Sequence, residues 1–253
     1  MLAPILQFDP DREGVIQPRP AFAVDQPIGP CVITFFREAL NAYVQQNRLE
    51  PAGVLRSETV DLPVYLAEVN GVSVGLIQGY LGGPGAAGQL EELIATGFDR
   101  FVVCGGAGVL RRDLAVGHLV LPEGALREEG VSYHYLPADE PVLRYDPEVL
   151  AALEGTIREF GAPYVRGLTW TTDAYYRETR GKVARRAAEG CLTVEMEASA
   201  YLAVAKFRGV KLGQILYGGD DVSGEAWDQR NWTSRGDVRR GLLSLALEAS
   251  LRL

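Results

Sequence analysis

Histidine, cysteine, methionine and lysine are all scarce in this chain of 253 residues, and their scarcity narrows its possible chemistry. The three cysteines, Cys31, Cys104 and Cys191, lie far apart and lack the spacing of a metal site. Cys31 and Cys104 fall in apolar runs, where a free cysteine acts as a small apolar filler. The cysteine usage therefore indicates a protein of a reducing compartment.

Positive charge is also sparse, since the net charge is −8 at pH 7 and Lys182, Lys206 and Lys211 are the only lysines. This balance argues against nucleic-acid binding and against an anionic membrane surface, so an anionic substrate requires a local cluster of arginines. No apolar run reaches membrane-spanning length, and the first residues lack the features of a signal peptide. We expect a cytoplasmic protein that binds neither nucleic acid nor a membrane.

The chain divides into an N-terminal arm and one domain. Residues 1–28 are rich in proline and aspartate and have no sustained periodicity, so we expect an extended arm. Residues 29–253 alternate short apolar runs with helical patterns, as in an α/β domain whose mixed sheet is covered on both faces. The predicted strands are 31–36, 64–69, 72–78, 101–104, 118–122, 164–171 and 212–217, and the predicted helices are 37–46, 85–96, 147–160, 180–189, 197–207 and 238–253.

Two carboxylates and a thioether stand at the mouth of an otherwise apolar helix. They are Glu195, Met196 and Glu197, and the two carboxylates do not contribute to the apolar packing of a core helix. Because a buried carboxylate is costly unless partners satisfy it, this cluster indicates a ligand site.

A glycine-rich turn from Gly83 to Gly88 has the pattern GxGxxG, after a strand and at the start of a helix. A dinucleotide site also needs an acidic residue at the end of the next strand, where this chain has Gly105 and Gly106. The turn therefore predicts amides that face a ligand, while a nicotinamide-dependent oxidoreductase stays as an alternative.

Three segments together resemble the nucleoside phosphorylase family, the purine and uridine phosphorylases with their hydrolytic nucleosidase relatives. They are the Thr171–Tyr176 segment, the Glu195–Glu197 segment and Gly218-Gly219-Asp220-Asp221, in the family's order and at its spacing. The resemblance covers roughly residues 29–250. It implies a single three-layer αβα domain with a central mixed sheet, and neither a metal nor an organic cofactor.

The resemblance also implies a sugar site. Glu197 accepts hydrogen bonds from the ribose hydroxyls, beside Glu195, and Met196 forms an apolar floor under the sugar. Leu81 and Gly82 belong to a turn that lines the ribose in this family, although Leu81 stands where methionine is usual.

At the base, the resemblance assigns stacking to Tyr175 and general-acid catalysis to Asp220, with Arg230 or Arg235 tuning the acid. An acid suits a purine, whose N7 is protonated as it leaves, and residues 177–180 lack the glutamine of the pyrimidine branch. Purine is therefore favoured over uridine. The alternatives are core packing for Tyr175 and a solvated turn for Asp220.

The anion site departs from the family pattern, because Val103 and Gly106 stand where an arginine and a Ser or Thr are usual. A nucleosidase uses water instead, and Glu38 is then the expected general base. Phosphate remains possible through Arg37, through Arg56, and through the amides of Gly105 and Gly106 as an anion nest. Each arginine has the alternative of being a solvated surface charge.

These features predict glycosidic cleavage of a small-molecule nucleoside, with inorganic phosphate as the possible co-substrate. The first alternative is a hydrolytic nucleosidase on the same fold, and the second is a non-catalytic nucleoside-binding protein. The resemblance implies a homo-oligomer, either a dimer or a hexamer of dimers.

Overall fold

The computed structural model describes residues 3–24 and 28–253, along which ten strands and seven α-helices follow one another. The strands are β1 (Gly29–Thr34), β2 (Pro51–Arg56), β3 (Asp61–Val69), β4 (Val72–Gln78), β5 (Phe98–Val109), β6 (Leu119–Glu128), β7 (Val142–Arg144), β8 (Tyr164–Thr172), β9 (Cys191–Glu195) and β10 (Lys211–Asp221). The helices are α1 (Arg37–Asn47), α2 (Gly83–Thr96), α3 (Ser132–Tyr135), α4 (Pro147–Phe160), α5 (Arg180–Ala188), α6 (Ala198–Arg208) and α7 (Gly236–Ser250). Three short 3-10 helices occupy Pro4–Leu6, Tyr175–Arg177 and Trp232–Ser234.

All ten strands belong to one mixed sheet, which confirms the predicted α/β fold. Along the sheet the strands run β10-β6-β8-β9-β5-β1-β4-β3-β2, with β7 on β6, and β10 also pairs with β5. The strands β5, β9, β8, β6 and β10 therefore close into a ring, from which β1, β4, β3 and β2 extend. The helices form two groups, because α1 and α4 pack on α7 while α2 and α3 pack on α6.

One large cluster of buried apolar residues joins β1 and its neighbours in the sheet to both helix groups, and two smaller clusters lie mainly on strands of the ring. Every residue of β1 is buried, as expected for a strand with both faces covered. Residues 198–205 of α6 are buried as well, and Tyr201 on this helix is completely inaccessible to solvent. Cys31 and Cys104 are fully buried in the sheet, which confirms that they fill apolar space.

Short-range signals located several boundaries correctly. The Asn70-Gly71 turn joins β3 to β4 with positive φ at both residues, the conformation of a tight hairpin turn. The helix α4 has the predicted bounds, since Asp146 caps its first turn through the amide of Glu148 and Gly161 ends it in the left-handed region.

Other boundaries were missed. The predicted strands and helices did not include β2, β7, β9 or the single turn of α3, which are an edge strand and short elements. The predicted strand 101–104 ends at Cys104, whereas β5 continues through the following glycines to Val109. Pairing with β9 and β10 on its two sides holds this segment extended, a long-range effect that local glycine content does not reveal.

The predicted arm lies against the domain where the structure describes it, while residues 1, 2 and 25–27 are outside the described residues. The amide of Ala21 donates to Thr96 Oγ1 at 2.8 Å, and Arg208 Nη1 donates to the Arg12 carbonyl at 2.8 Å. Val15 and Ile16 are almost fully exposed on this arm. None of the helices within 3–24 and 28–253 has the length and apolar character that crossing a bilayer requires.

Candidate active site

Three buried glutamates gather where β6 and β9 end and α6 begins. Glu129, Glu195 and Glu197 are 4%, 7% and 5% exposed, respectively. Sequence reasoning identified the second and third but missed Glu129. In the described part of the chain, none of the three forms an ion pair with a Lys or Arg side chain.

Glu195 caps the first turn of α6. Its Oε2 accepts the amides of Glu197 at 2.7 Å and Ala198 at 2.6 Å, and its Oε1 accepts the Thr171 hydroxyl at 2.7 Å. The Glu195 oxygen thus accepts from two free amides of the helix start and places a carboxylate at the positive end of the helix. Burial raises the pKa of Glu195, although the Thr171 and amide hydrogen bonds oppose this effect. Both oxygens are engaged, so Glu195 fixes the backbone from which Glu197 projects.

Glu197 is joined to the predicted ribose turn. The Gly82 amide donates to its Oε1 at 2.6 Å, so the structure brings Glu197 and Gly82 together. Gly82 has φ of +85°, a left-handed conformation that glycine adopts without strain. Burial and then the negative charge of Glu195 raise the pKa of Glu197. The result is a desolvated carboxyl group that favours the protonated form in the free protein, and hydroxyl donors of a ligand would stabilise its ionised form.

Glu129 ties the neighbouring loop to α6. Its Oε2 accepts the amides of Val131 at 2.6 Å and Ser132 at 2.9 Å, and its Oε1 accepts the Ser199 hydroxyl at 2.9 Å. Arg127 donates to the Ser132 hydroxyl and to three backbone carbonyls of the same loop. In the sequence, Glu129 was marked only by its place in a pair of acidic residues after an apolar run. The predicted strand 118–122 ends before this pair, so Glu129 was not selected.

Asp220 lies at the carboxyl end of β10, half-buried. Its Oδ2 accepts a hydrogen bond from the indole Nε1 of Trp227 at 2.6 Å. A methyl group at Gly108 would lie 3.6 Å from both Asp220 oxygens and 3.1 Å from Val194, the neighbour of Glu195. Asp220 therefore lies beside the end of β9, the strand that carries Glu195.

The arginine expected beside Asp220 supports its backbone instead. Arg230 donates to the carbonyls of Gly219 and Leu114, the shortest of these bonds being 2.6 Å, and not to the Asp220 carboxylate. Arg235 donates weakly to the Arg230 carbonyl. Neither arginine therefore contacts the Asp220 carboxylate, because both guanidinium groups bind main-chain oxygens of this region.

Aromatic and apolar residues are exposed on the segments that follow β8 and precede α2, which we call the rim. Tyr175 is 51% exposed and its ring centroid is 4.3 Å from that of Tyr176, so the core-packing alternative for Tyr175 is wrong. Leu81 is also exposed, while Met196 is half-buried beside Glu197. Sequence reasoning missed Glu178, a carboxyl whose pKa is raised to about 7 by burial and by the charge of Asp220.

The residues predicted for phosphate or water occupy different environments. Arg37 is exposed and makes no hydrogen bond or ion pair within the described residues, whereas Arg56 pairs with Asp61 at 3.0 Å on the outer hairpin. Gly105 and Gly106 are extended inside β5, so their amides do not form the turn-shaped nest that the sequence suggested. A methyl group at Gly106 would lie 3.0 Å from the Tyr217 ring.

Glu38 forms an ion pair with Arg239, a buried arginine that sequence reasoning missed. The Arg239 Nη1 to Glu38 Oε1 distance is 2.5 Å, and Arg239 Nε donates to the Tyr217 hydroxyl at 3.1 Å. Burial would raise the pKa of Glu38, but the hydrogen bond and charge of Arg239 outweigh it and lower the pKa. Val103, where the family has an arginine, is fully buried.

Comparison with known proteins agrees with this geometry. The model of the phosphorylase superfamily matches residues 31–246. Guanosine phosphorylase of Halorubrum lacusprofundi is 29% identical over 182 residues, 70% of this chain and 75% of that protein. Uridine phosphorylase of Thermococcus kodakarensis is 32% identical over 112 residues, 44% of this chain and 40% of that protein. Uridine phosphorylase of Escherichia coli is 25% identical over 189 residues, 67% of this chain and 74% of that protein.

The family match spans most of the chain and includes all three segments that carried the resemblance. The expectation of an enzyme on this fold is therefore confirmed. The chain belongs to the phosphorylase superfamily.

Proposed function

We propose that this protein cleaves the N-glycosidic bond of a nucleoside by phosphorolysis, releasing the free base and ribose 1-phosphate, and that purine nucleosides are preferred over uridine. The family match and the relatives named guanosine and uridine phosphorylase support nucleoside phosphorolysis. The observation that carries the proposal is Glu197, a buried carboxylate hydrogen-bonded to the Gly82 amide and without a cationic partner in the described residues.

At the sugar, Glu197 accepts hydrogen bonds from ribose hydroxyls that replace the water lost on burial. As the glycosidic bond breaks, positive charge develops on the sugar ring, and a desolvated carboxylate stabilises that charge strongly. Met196 and Leu81 supply apolar contacts on either side. The capping of α6 by Glu195 keeps the Glu197 side chain in place during the reaction.

At the base, the bonding electron pair passes to the purine, and Asp220 donates a proton to N7 of the leaving group. Tyr175 on the exposed rim provides a ring face against which the base stacks. A uracil leaving group has no N7, so this arrangement favours purines. The difference should appear as a higher kcat/KM for purine nucleosides.

A phosphate oxygen then forms the new bond to the anomeric carbon as the base leaves. We assign Arg37 to the phosphate, because it is a cation without a partner in the described residues, directly after the first strand. Arg56, although paired with Asp61, is the second candidate. Glu38 is held by Arg239 and is a weak base, which favours phosphate over activated water; a nucleosidase using Glu38 remains the alternative.

We further propose that the protein is a cytoplasmic homo-oligomer, a dimer or a hexamer of dimers, that uses neither a metal nor an organic cofactor. Exposed Leu81 and Tyr176 near the site support a neighbouring subunit at the mouth.

The test is to incubate the purified protein with inosine, guanosine, adenosine and uridine, with and without phosphate, and to quantify the base and sugar products. Base release that requires phosphate and gives ribose 1-phosphate supports the proposal. Release of free ribose without phosphate identifies a nucleosidase. Binding without release identifies a nucleoside-binding protein and overturns the proposal.

A further inference from the structure

The loop after β10 brings an exposed tryptophan onto Asp220. Asp221 and Asp228 exchange two backbone hydrogen bonds, of 2.8 and 3.0 Å, which close the loop between them. Trp227 precedes Asp228 and Asp220 precedes Asp221, so this closure places the indole beside the carboxylate. The Trp227 ring is 63% exposed, which excludes a core-packing role.

Both ends of this loop are anchored independently of Trp227. Asp221 Oδ1 accepts the amide of Ser223 at 2.7 Å and its hydroxyl at 2.6 Å. On the other side, Arg230 holds the Gly219 and Leu114 carbonyls. The anchors fix the position of the indole without using the indole itself, so its hydrogen bond to Asp220 is available for a function.

An indole N–H is a donor only, so it favours the ionised form of the carboxylate oxygen that it contacts. Two other titratable groups face Asp220, namely Glu178 and Tyr217. Burial raises the pKa of both, to about 7 for Glu178, and the charge of Asp220 adds to each effect. Asp220 is therefore placed between a hydrogen-bond donor and a carboxyl group that resists ionisation beside it.

We propose that Trp227 is a positioning residue for Asp220, whose indole N–H holds Oδ2 and directs Oδ1 toward the leaving base while the ring closes the base end of the pocket. This inference rests on the proposed acid role of Asp220. The proton passes from Oδ1 to N7 as the glycosidic electron pair moves onto the base. The carboxylate left behind keeps the indole hydrogen bond, which stabilises the product of the transfer.

The test compares Trp227→Phe, which keeps an aromatic ring but removes the donor, with the wild-type protein. For purine nucleosides we expect kcat to fall about tenfold while KM changes less than about threefold. An unchanged kcat, or equal changes in kcat and KM, would overturn the proposal.

Asp220→Asn, alone and combined with Trp227→Phe, separates the two claims. If Asp220→Asn lowers turnover and the second substitution adds nothing further, the two residues act together. If Asp220→Asn has no effect on turnover, the acid role is wrong. If the turnover losses of the two substitutions are additive, only the role of Trp227 is wrong.

A second readout does not depend on turnover. The difference in fluorescence between the wild type and Trp227→Phe reports on this indole, and Asp220→Asn should change that fluorescence because it replaces the group that accepts the indole hydrogen bond. Identical indole fluorescence in the wild type and in Asp220→Asn would overturn the proposed contact.

Discussion

At the scale of single residues, the site depends on carboxylates that are buried with hydrogen-bond donors but without cations. Glu195 is held by a hydroxyl and two amides, and Glu197 has the Gly82 amide. Such groups are costly in the free protein and become favourable when ligand hydroxyls or a cationic sugar reach them. We therefore expect Glu195 and Glu197 to lower the stability of the free protein and to be stabilised when the ligand binds.

Asp220→Asn tests the acid at this scale. An amide cannot supply the proton, so we expect kcat for a purine nucleoside to fall by about a hundredfold or more with little change in KM. Steady-state kinetics with inosine measure both constants. Equal losses in kcat and in substrate affinity would show that Asp220 only binds the base.

Glu197→Gln tests the cost of the buried carboxylate. Its folded-state pKa is raised, so the folded protein holds a proton that the unfolded chain releases, and stability falls as pH rises toward the folded-state value. Glutamine does not ionise. Urea unfolding should show that Glu197→Gln gains stability over the wild type at about pH 8 and gains less at about pH 5. The same difference at both pH values would contradict the raised pKa.

At the scale of elements, the site is built from the start of α6 and the turn before α2. The turn must present the Gly82 amide to Glu197, and it does so through a left-handed glycine. The helix start is fixed in turn by β8, because the Thr171 hydroxyl donates to Glu195 and accepts the Ser199 amide at 3.0 Å. The position of one carboxylate thus depends on two elements that are distant in sequence.

Gly82→Ala tests the turn, with Gly71→Ala as a matched control. Both glycines have positive φ, +85° and +77°, and neither would place a methyl group within 4 Å of another atom. We expect a loss of about 1 kcal/mol in unfolding free energy at Gly71 and a larger loss at Gly82, whose φ of +85° and ψ of 152° are almost confined to glycine. Only Gly82→Ala should raise the KM for the nucleoside, because it displaces the amide that orients Glu197. Equal KM values would contradict the assignment.

Thr171→Val tests the helix start. The substitution keeps the shape but leaves Glu195 Oε1 and the Ser199 amide unsatisfied in a buried place, so we expect a loss of about 1–3 kcal/mol in denaturant unfolding. Thr156→Val is the control, since the buried Thr156 hydroxyl bonds only the Ala152 carbonyl within α4. An equal or smaller loss at Thr171 would show that this contact is not important.

At the scale of the whole molecule, the sequence was informative where structure is local. Alternating apolar runs and helical patterns predicted the fold class. The strands on either side of Asn70-Gly71 and the helix 147–160 were predicted close to their observed bounds. The ring was not predicted, because its closure depends on pairing of β10 with both β5 and β6. Such pairings join residues that are far apart in the chain.

The same limit applies to the site. Glu195 and Glu197 were identified because carboxylates at the mouth of an apolar helix are unusual. Asp220 was identified only through the resemblance, which also supplied the proposed roles of all three. The sequence analysis missed Glu129, Glu178, Trp227 and Arg239. The interaction partner of each of these residues comes close to it only in the folded chain. Glycines 105 and 106 were misread as a nest because nothing local showed that neighbouring strands extend them.

The central claim is that the glutamate cluster and Asp220 serve phosphorolysis of a purine nucleoside. The most direct measurement is the identity of the sugar product when purified protein is mixed with inosine and phosphate, followed by phosphorus NMR. The account predicts that ribose 1-phosphate appears in step with hypoxanthine and that neither forms without phosphate. Hypoxanthine accompanied by free ribose, at a rate independent of phosphate, would contradict it.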